Sequence, residues 1–239
     1  MSELPTLLDM LKAGVHFGHQ QSKWHPKMKP FIYTSRNGIH IINLEETEVM
    51  LKKAMAFVSE TVSRGGIILF VGSKNQAKSI TAKYAKECGM PYINERWLGG
   101  TLTNFATINK LVRKFRDLKR KQAAGELEKY TKKEQLGFKK EIAKLDKVIG
   151  GIENMDKMPD AVYIVDIKQE ETALYEAVSK NIPIIATCDT NVNPDKVDYI
   201  IPANDDATKA IDLITSLIAR AVTEGKAMTK AKTEEPKKQ

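Results

Sequence analysis

Cysteine is scarce in this sequence: Cys88 and Cys188 are the only two among 239 residues, and they lie far apart. Neither belongs to a CxxC motif, so the chain has neither the ligand spacing of a zinc ribbon nor a disulfide framework. We expect two reduced, buried thiols, which are typical of a cytoplasmic protein.

Long apolar runs are missing as well. The most apolar stretches, residues 66–72 and 182–188, are far shorter than the ~20 residues that a membrane-spanning helix needs. The first five residues, MSELP, carry no positive charge and no cleavage-like site, so we expect no secretory signal. The composition, 42% hydrophobic and 28% charged, is that of a globular protein with a real core, and we predict no contact with membranes.

The sequence also lacks the common motifs of enzymatic chemistry. It contains no GxSxG, no HExxH and no recognisable Cys–His pair. Asp166, Asp189 and Asn204 end predicted strands, where α/β enzymes place ligands, but fold position alone does not make an active site. We therefore predict a protein that is not an enzyme and has no small-molecule substrate.

One segment approaches a nucleotide-binding motif. Residues 72–79 (GSKNQAKS) match G-x-x-x-x-G-K-[ST] except that Ala77 replaces the second glycine, and Asp166 follows an apolar run as in a Walker B strand. A P-loop needs glycines because its backbone N–H groups curl around phosphates. We expect Ser73 to cap a helix that begins there, which leaves no room for such a loop. An ordinary strand–turn–helix is favoured, and nucleotide binding by residues 72–79 is the alternative.

Charge is distributed unevenly along the chain. The net charge of +8 arises from +5 in residues 1–105, +8 in residues 106–150 and −5 in residues 151–239. Such asymmetry favours contact between one part of the molecule and a polyanion.

Short apolar runs alternate with helical stretches over much of the chain. Five strands are predicted at residues 67–71, 91–94, 161–165, 182–187 and 199–201. This alternation indicates an α/β protein with parallel βαβ units and right-handed crossovers. We also predict a short helix at 4–12, a β-hairpin turning at Asn37-Gly38, a helix at 45–63, and a last helix capped by Asp205 and ending at Gly225.

More than sixty residues separate the second and third predicted strands. Within them, heptad-like spacings predict two apolar helix faces, formed by Ile108, Leu111, Phe115 and Leu118 and by Phe138, Ile142, Leu145, Ile149 and Ile152. Gly125 marks a turn, and Thr131-x-x-Glu134 fits a capping box. We predict an antiparallel coiled-coil hairpin at 104–152, inserted in a globular domain of residues 1–103 and 153–225 and followed by a flexible tail at 226–239.

Three basic segments are candidates for RNA binding: residues 23–31, residues 95–104 and the first helix of the hairpin. Residues 23–31 interleave cations with aromatics and prolines, and we expect the prolines to keep this segment extended. Cations can neutralise phosphates, and aromatic rings can stack on bases. The predicted contacts are Lys23, Trp24, His25, Lys27, Lys29, Arg36 and Arg96, and, in the hairpin, Lys110, Arg113, Lys114, Lys119, Arg120 and Lys121. For Trp24, a place under a loop is an equal alternative.

Two histidines and three aspartates are candidate metal ligands. His16 and His19 form an HxxH pair, and Asp189, Asp205 and Asp206 lie near predicted strand ends. We favour hydrogen bonding and capping roles for these residues and expect no cofactor. An Mg²⁺ or Zn²⁺ ion held by His16, His19, Asp189 and Asp205 is the alternative.

Several longer strings resemble one known family. They include residues 14–19 (GVHFGH), 24–32 (WHPKMKPFI), 39–44 (IHIINL), 96–104 (RWLGGTLTN) and 201–207 (IPANDDA), and they occur in order between about residues 7 and 225. On these motifs the chain resembles the bacterial small-subunit ribosomal protein S2 family.

The resemblance implies a flavodoxin-like doubly wound parallel sheet with an inserted coiled-coil hairpin. It also implies a structural place in the cytoplasmic ribosome, on 16S ribosomal RNA between the head and body of the small subunit. Neighbouring ribosomal proteins and the mRNA-binding ribosomal protein S1 would be its partners. A helical-hairpin adaptor that binds only protein is a further hypothesis from the residues alone.

Overall fold

The computed structural model describes the backbone of residues 4–234 and the side chains of residues 4–229. The chain begins with helix α1 (Leu7–Ala13), strands β1 (Phe17–Gln20), β2 (Ile32–Arg36) and β3 (Ile39–Ile42), and helix α2 (Leu44–Ser63). Five further strands are β4 (Ile68–Val71), β5 (Tyr92–Ile93), β6 (Ala161–Ile164), β7 (Ile184–Cys188) and β8 (Tyr199–Pro202). The remaining helices are α3 (Lys78–Cys88), α4 (Phe105–Ala123), α5 (Lys132–Ile149), α6 (Glu171–Ser179) and α7 (Thr208–Glu234).

Strands β4 to β8 form one parallel sheet in the order β5-β4-β6-β7-β8. Counted within the sheet this is 2-1-3-4-5, the order of flavodoxin-like doubly wound folds. Successive strand residues face opposite sides. Ile68 and Phe70 pack with α2, α3 and α7, whereas Leu69 and Val71 pack with α4, α5 and α6. The predicted α/β class with a parallel sheet is confirmed.

The N-terminal strands form a separate antiparallel sheet in the order β1-β3-β2. Asn37 and Gly38 have φ angles of 50° and 75°, so both adopt the left-handed conformation of a two-residue hairpin turn. The predicted turn is confirmed. Strand β1 was not predicted, because its sequence FGHQ contains glycine and has no alternating apolar pattern.

Helix α3 begins at Lys78, five residues later than predicted from Ser73. The N–H of Ser73 is bonded by the carboxylate of Glu170, at 2.6 Å, and the carbonyl of Lys74 accepts the N–H groups of Ala77 and Lys78 in a turn. The expectation that a helix fills residues 73–77 was therefore wrong. Ala77 is buried as predicted, but it precedes the helix.

Residues 21–31 are extended only at Trp24 and His25. The others form two short 3₁₀ helices, Gln21–Lys23 and Pro26–Phe31. Pro26 occupies the first turn of the second one, where a missing N–H costs nothing, and the ring of His25 accepts the N–H of Lys27 at 3.3 Å. Pro26 thus starts a helical turn and Pro30 lies inside it, so the prolines do not hold the segment extended.

Helices α4 and α5 lie where the hairpin was predicted and contact each other. The capping box of Thr131 and Glu134 is present at the start of α5. In α4 the buried face is formed by Ile108, Val112, Phe115 and Leu118, with Val112 more deeply buried than the predicted Leu111. A coiled-coil winding of the two helices stays a prediction.

Helix α7 continues past Gly225, where its end was predicted, and reaches Glu234. Gly225 is a close-packing residue rather than a helix end, because an added Cβ would lie 2.6 Å from the Ser59 carbonyl of α2. Beyond it, the Lys226 ammonium donates to the carbonyl of Cys88 at 2.6 Å and so caps the end of α3. Residues 226–234 are therefore helical, and the rest of the predicted tail lies outside the described residues.

The structure bears on the two cysteines and on the length of the apolar helices. Cys88 and Cys188 are both buried and unpaired with each other, as predicted. Burial raises the pKa of the Cys88 thiol to about 11, so the thiol form prevails at neutral pH. Within residues 4–234, no helix has the length and apolarity required to span a bilayer.

Candidate functional site

An acidic crevice lies at the carboxyl end of the parallel sheet. The loops after β4 and β6 leave toward opposite faces here, which is where doubly wound folds bind ligands. The Lys74 ammonium occupies the crevice, 3.1 Å from Asp166, 2.7 Å from Asp205 and 2.7 Å from Asp206. The site thus contains more carboxylates than cations.

His19, on β1, closes the crevice from the N-terminal sheet. Its Nδ1 lies 3.0 Å from Asp189, and its Nε2 lies 3.4 Å from Asp206. The hydrogen bond with Asp189 raises the pKa of His19 despite partial burial. Thr190 holds the strand in place, because its hydroxyl accepts the N–H of His19 at 2.8 Å. The N-terminal sheet and the carboxyl end of the parallel sheet therefore meet through His19.

Asp205 is a buried carboxylate of the crevice with one unpartnered oxygen among the described residues. It is 1% exposed, and its Oδ2 has no hydrogen-bond partner in the described part of the chain. Burial and the charges of Asp166 and Asp189 raise the pKa of Asp205 to about 7, although Lys74 opposes this. A second positive charge would relieve the repulsion.

Three residues of the crevice could bind a cation that supplies this positive charge. His19, Asp205 and Asp206 each offer a ligand atom, and the three atoms lie within 4.8 Å of one another. Of the predicted metal candidates, His19, Asp189 and Asp205 come together, whereas His16 has a buried Nδ1 without a partner in the described chain. Asp206, which also lies near a predicted strand end, joins them through its contact with His19 of β1.

The crevice does not suit a nucleotide. The Ser73 N–H, which a P-loop would direct at phosphate, is bonded by Glu170, and Lys78 is paired with Glu95 at 2.9 Å. Burial raises the pKa of Glu170. Carboxylates already occupy the places of phosphate oxygens, so the nucleotide alternative finds no support in the geometry.

The predicted RNA-binding segment docks beside this crevice. The backbone N–H of His25 donates to the Thr190 carbonyl at 2.8 Å, and Met28 is fully buried in the second core cluster. Lys23 and Lys29 are exposed, while Lys27 lies 3.2 Å from Asp195. Trp24 is half-buried against the ring of His40. This contact favours a place under a loop for Trp24, and its stacking on RNA stays a prediction.

The loop that carries Arg96 is anchored by a carboxylate that sequence reasoning missed. Glu176, on α6 and 7% exposed, accepts the indole N–H of Trp97 and the N–H of Gly100 with one oxygen. Its other oxygen accepts the N–H groups of Leu102 and Thr103 and the Thr103 hydroxyl. Burial opposes ionisation, but these hydrogen bonds hold the pKa of Glu176 below its ordinary value. Arg96 itself is exposed.

Most of the predicted cations of α4 have partners within the protein. Lys114 lies 2.5 Å from Glu141, Lys119 2.6 Å from Glu153, and both Arg120 and Lys121 2.7 Å from Asp117. Among the described residues, Lys110 and Arg113 have no ion pair and are exposed. Glu141 and Glu153 come from beyond the α4 sequence, so the apparent excess of positive charge on α4 is partly balanced in space.

Two comparisons with known proteins agree. The family model described as Ribosomal protein S2 matches residues 10–225. The Small ribosomal subunit protein uS2 of Mycobacterium leprae (strain TN) is 50% identical over 220 residues, which cover 92% of this chain and 79% of that protein.

Proposed function

The chain belongs to the ribosomal protein S2 family, and we propose that it is a structural component of the small ribosomal subunit that binds ribosomal RNA. This is a family of structural ribosomal proteins rather than enzymes. The observation that carries the proposal is the set of exposed cations without an ion pair in the described chain, among them Lys23, Lys29, Arg36 and Arg96. Such groups can neutralise RNA phosphates without breaking an internal pair.

The finer parts of the proposal follow from the resemblance. We infer that the RNA is 16S ribosomal RNA between the head and body, that neighbouring small-subunit proteins are contacts, and that ribosomal protein S1 is recruited there. The place of action would be the cytoplasmic ribosome. Support comes from the segments that meet at the carboxyl edge of the sheet, since they contain several of the motifs that resemble the family.

Sedimentation tests the proposal. A tagged chain from a cell lysate should co-migrate with the small subunit through a sucrose gradient and leave it after RNase treatment. The triple variant Lys29/Arg36/Arg96→Ala should dissociate at lower salt than the wild type. The matched control Lys52/Lys53/Lys209→Ala removes the same charge from exposed positions on α2 and α7. Migration of the wild type as a free chain would contradict the proposal.

A second candidate function is the binding of a divalent cation in the crevice. The specific observation is the buried, unpartnered Oδ2 of Asp205 beside His19 and Asp206. A nitrogen and two carboxylate oxygens suit Zn²⁺, whereas Mg²⁺ favours oxygen ligands alone. Titration calorimetry of metal-free protein should show saturable Zn²⁺ binding that is lost in His19→Ala and kept in His25→Ala. No heat of binding to the wild type would exclude the site.

A further inference from the structure

Helix α5 carries a stripe of lysines on its outer face. Lys133, Lys140, Lys144 and Lys147 are spaced by 7, 4 and 3 residues, so at 3.6 residues per turn they fall within about 60° of one another. All four are exposed. At 1.5 Å per residue the stripe is about 21 Å long. The apolar residues Phe138, Ile142, Leu145 and Ile149 lie on the opposite side of the helix.

No acidic group of the described chain neutralises this stripe. Its four lysines have neither an ion pair nor a side-chain hydrogen bond among residues 4–229. Of the nearby acids, Glu134 closes the capping box with Thr131, and Glu141 is paired with Lys114 of α4. Asp146 is rotated about 140° from Lys133 by helix geometry. The positive charge therefore faces outward.

Helix α4 shows the opposite arrangement. Its cations Lys114, Lys119, Arg120 and Lys121 each lie within 2.7 Å of a carboxylate oxygen. A contact with RNA there would have to displace these partners. Sequence reasoning placed the contact surface on α4 because its cations are dense. Among the described residues, only Lys110 and Arg113 of those predicted α4 contacts lack an ion pair, whereas all four lysines of the α5 stripe lack one.

We propose that the lysine stripe of α5 is the surface through which these helices contact the phosphate backbone of ribosomal RNA. The inference deepens the proposed function and rests on it. An RNA backbone fits better than an acidic protein, because protein interfaces are depleted in lysine and need an apolar centre. The one large apolar side chain that is exposed in the described part of α5, Leu136, borders the stripe and is 53% exposed.

The test is the rebinding of purified protein to small subunits from which the native copy has been stripped. Lys133/Lys140/Lys144/Lys147→Gln should bind at least tenfold more weakly than the wild type. The slope of log affinity against log salt should fall by about three, since each phosphate contact contributes about 0.7–0.9. The control Lys114/Lys119/Arg120/Lys121→Gln should change the slope by less than about one. Circular dichroism checks that both variants stay folded.

The outcomes separate the two proposals. If the wild type does not rebind, the proposed function fails and the role of α5 fails with it. If the wild type rebinds and the α5 variant keeps the same affinity and slope, the stripe is only a solvated face. If the α5 variant loses affinity with an unchanged salt slope, the contact is with a protein and the RNA assignment is overturned.

Discussion

Glu176 and Asp205 are two almost fully buried carboxylates in one domain, yet their surroundings are opposite. Glu176 accepts five hydrogen bonds from the loop of residues 97–103. Asp205 is paired with Lys74 through one oxygen, while its other oxygen has no partner in the described chain. Burial alone therefore does not decide whether a carboxylate stabilises a fold, because the number of donors around it does.

The pKa shifts of the two groups express the same difference. That of Glu176 lies below its ordinary value, since the donors favour the charged form despite burial. That of Asp205 is raised to about 7 by burial and by neighbouring acids. Glu176 thus completes a site within the protein and fixes the loop next to Arg96. Asp205 belongs to a site that another cation would complete.

Removing the charge of Glu176 should have the largest effect. In Glu176→Gln, one amide NH₂ group must face backbone donors, so hydrogen bonds are lost and buried N–H groups remain unpaired. We expect the free energy of unfolding to fall by about 3 kcal/mol and the thermal midpoint by about 6 °C or more. Urea denaturation measures the first quantity and a thermal melt the second.

The control for this variant is Glu87→Gln, which neutralises an exposed carboxylate on α3 that has no ion pair in the described chain. It should change the free energy of unfolding by less than about 0.5 kcal/mol. Equal losses in both variants would mean that the donors around Glu176 contribute little.

Removing the charge of Asp205 should stabilise the protein, whereas removing the charge of Glu176 should destabilise it. In metal-free protein at pH 8, Asp205→Asn relieves repulsion with Asp166 and Asp189, and Lys74 keeps Asp166 and Asp206 as partners. We expect the free energy of unfolding to rise by about 1 kcal/mol. Urea denaturation of both proteins in the presence of a chelator measures this change in the free energy of unfolding. A loss of stability would show that the pair with Lys74 outweighs the repulsion.

Lowering the pH should reduce the difference in the free energy of unfolding between the wild type and Glu176→Gln. Because the pKa of Glu176 is lowered on folding, its stabilisation is complete above the unfolded value, 4.5, and is lost as pH falls through the folded value. Urea denaturation of both proteins from pH 6 down to pH 3 follows this loss. A constant difference over that range would indicate that shape, rather than charge, sets the effect of the substitution.

Features that depend on local signals were predicted from the sequence, and features that depend on distant partners were not. The sheet followed from apolar runs, and the hairpin turn from Asn37-Gly38, because these signals are local. The start of α3 did not, since Ser73 and Lys74 are engaged by Glu170, Asp166 and Asp205, which lie about a hundred residues away along the chain. The same is true of Glu176 and of Gly225, whose roles depend on partners from other elements.

A last substitution tests whether the donors of Glu176 act separately. Thr103→Val keeps the backbone N–H bond and the branched shape but removes the hydroxyl that lies 3.0 Å from the carboxylate. We expect a loss of about 1 kcal/mol, measured by urea denaturation. In Glu176→Gln the same substitution should cost less, because its partner is already altered. Full additivity in this double-mutant cycle would mean that the Thr103 hydroxyl stabilises the loop without acting through Glu176.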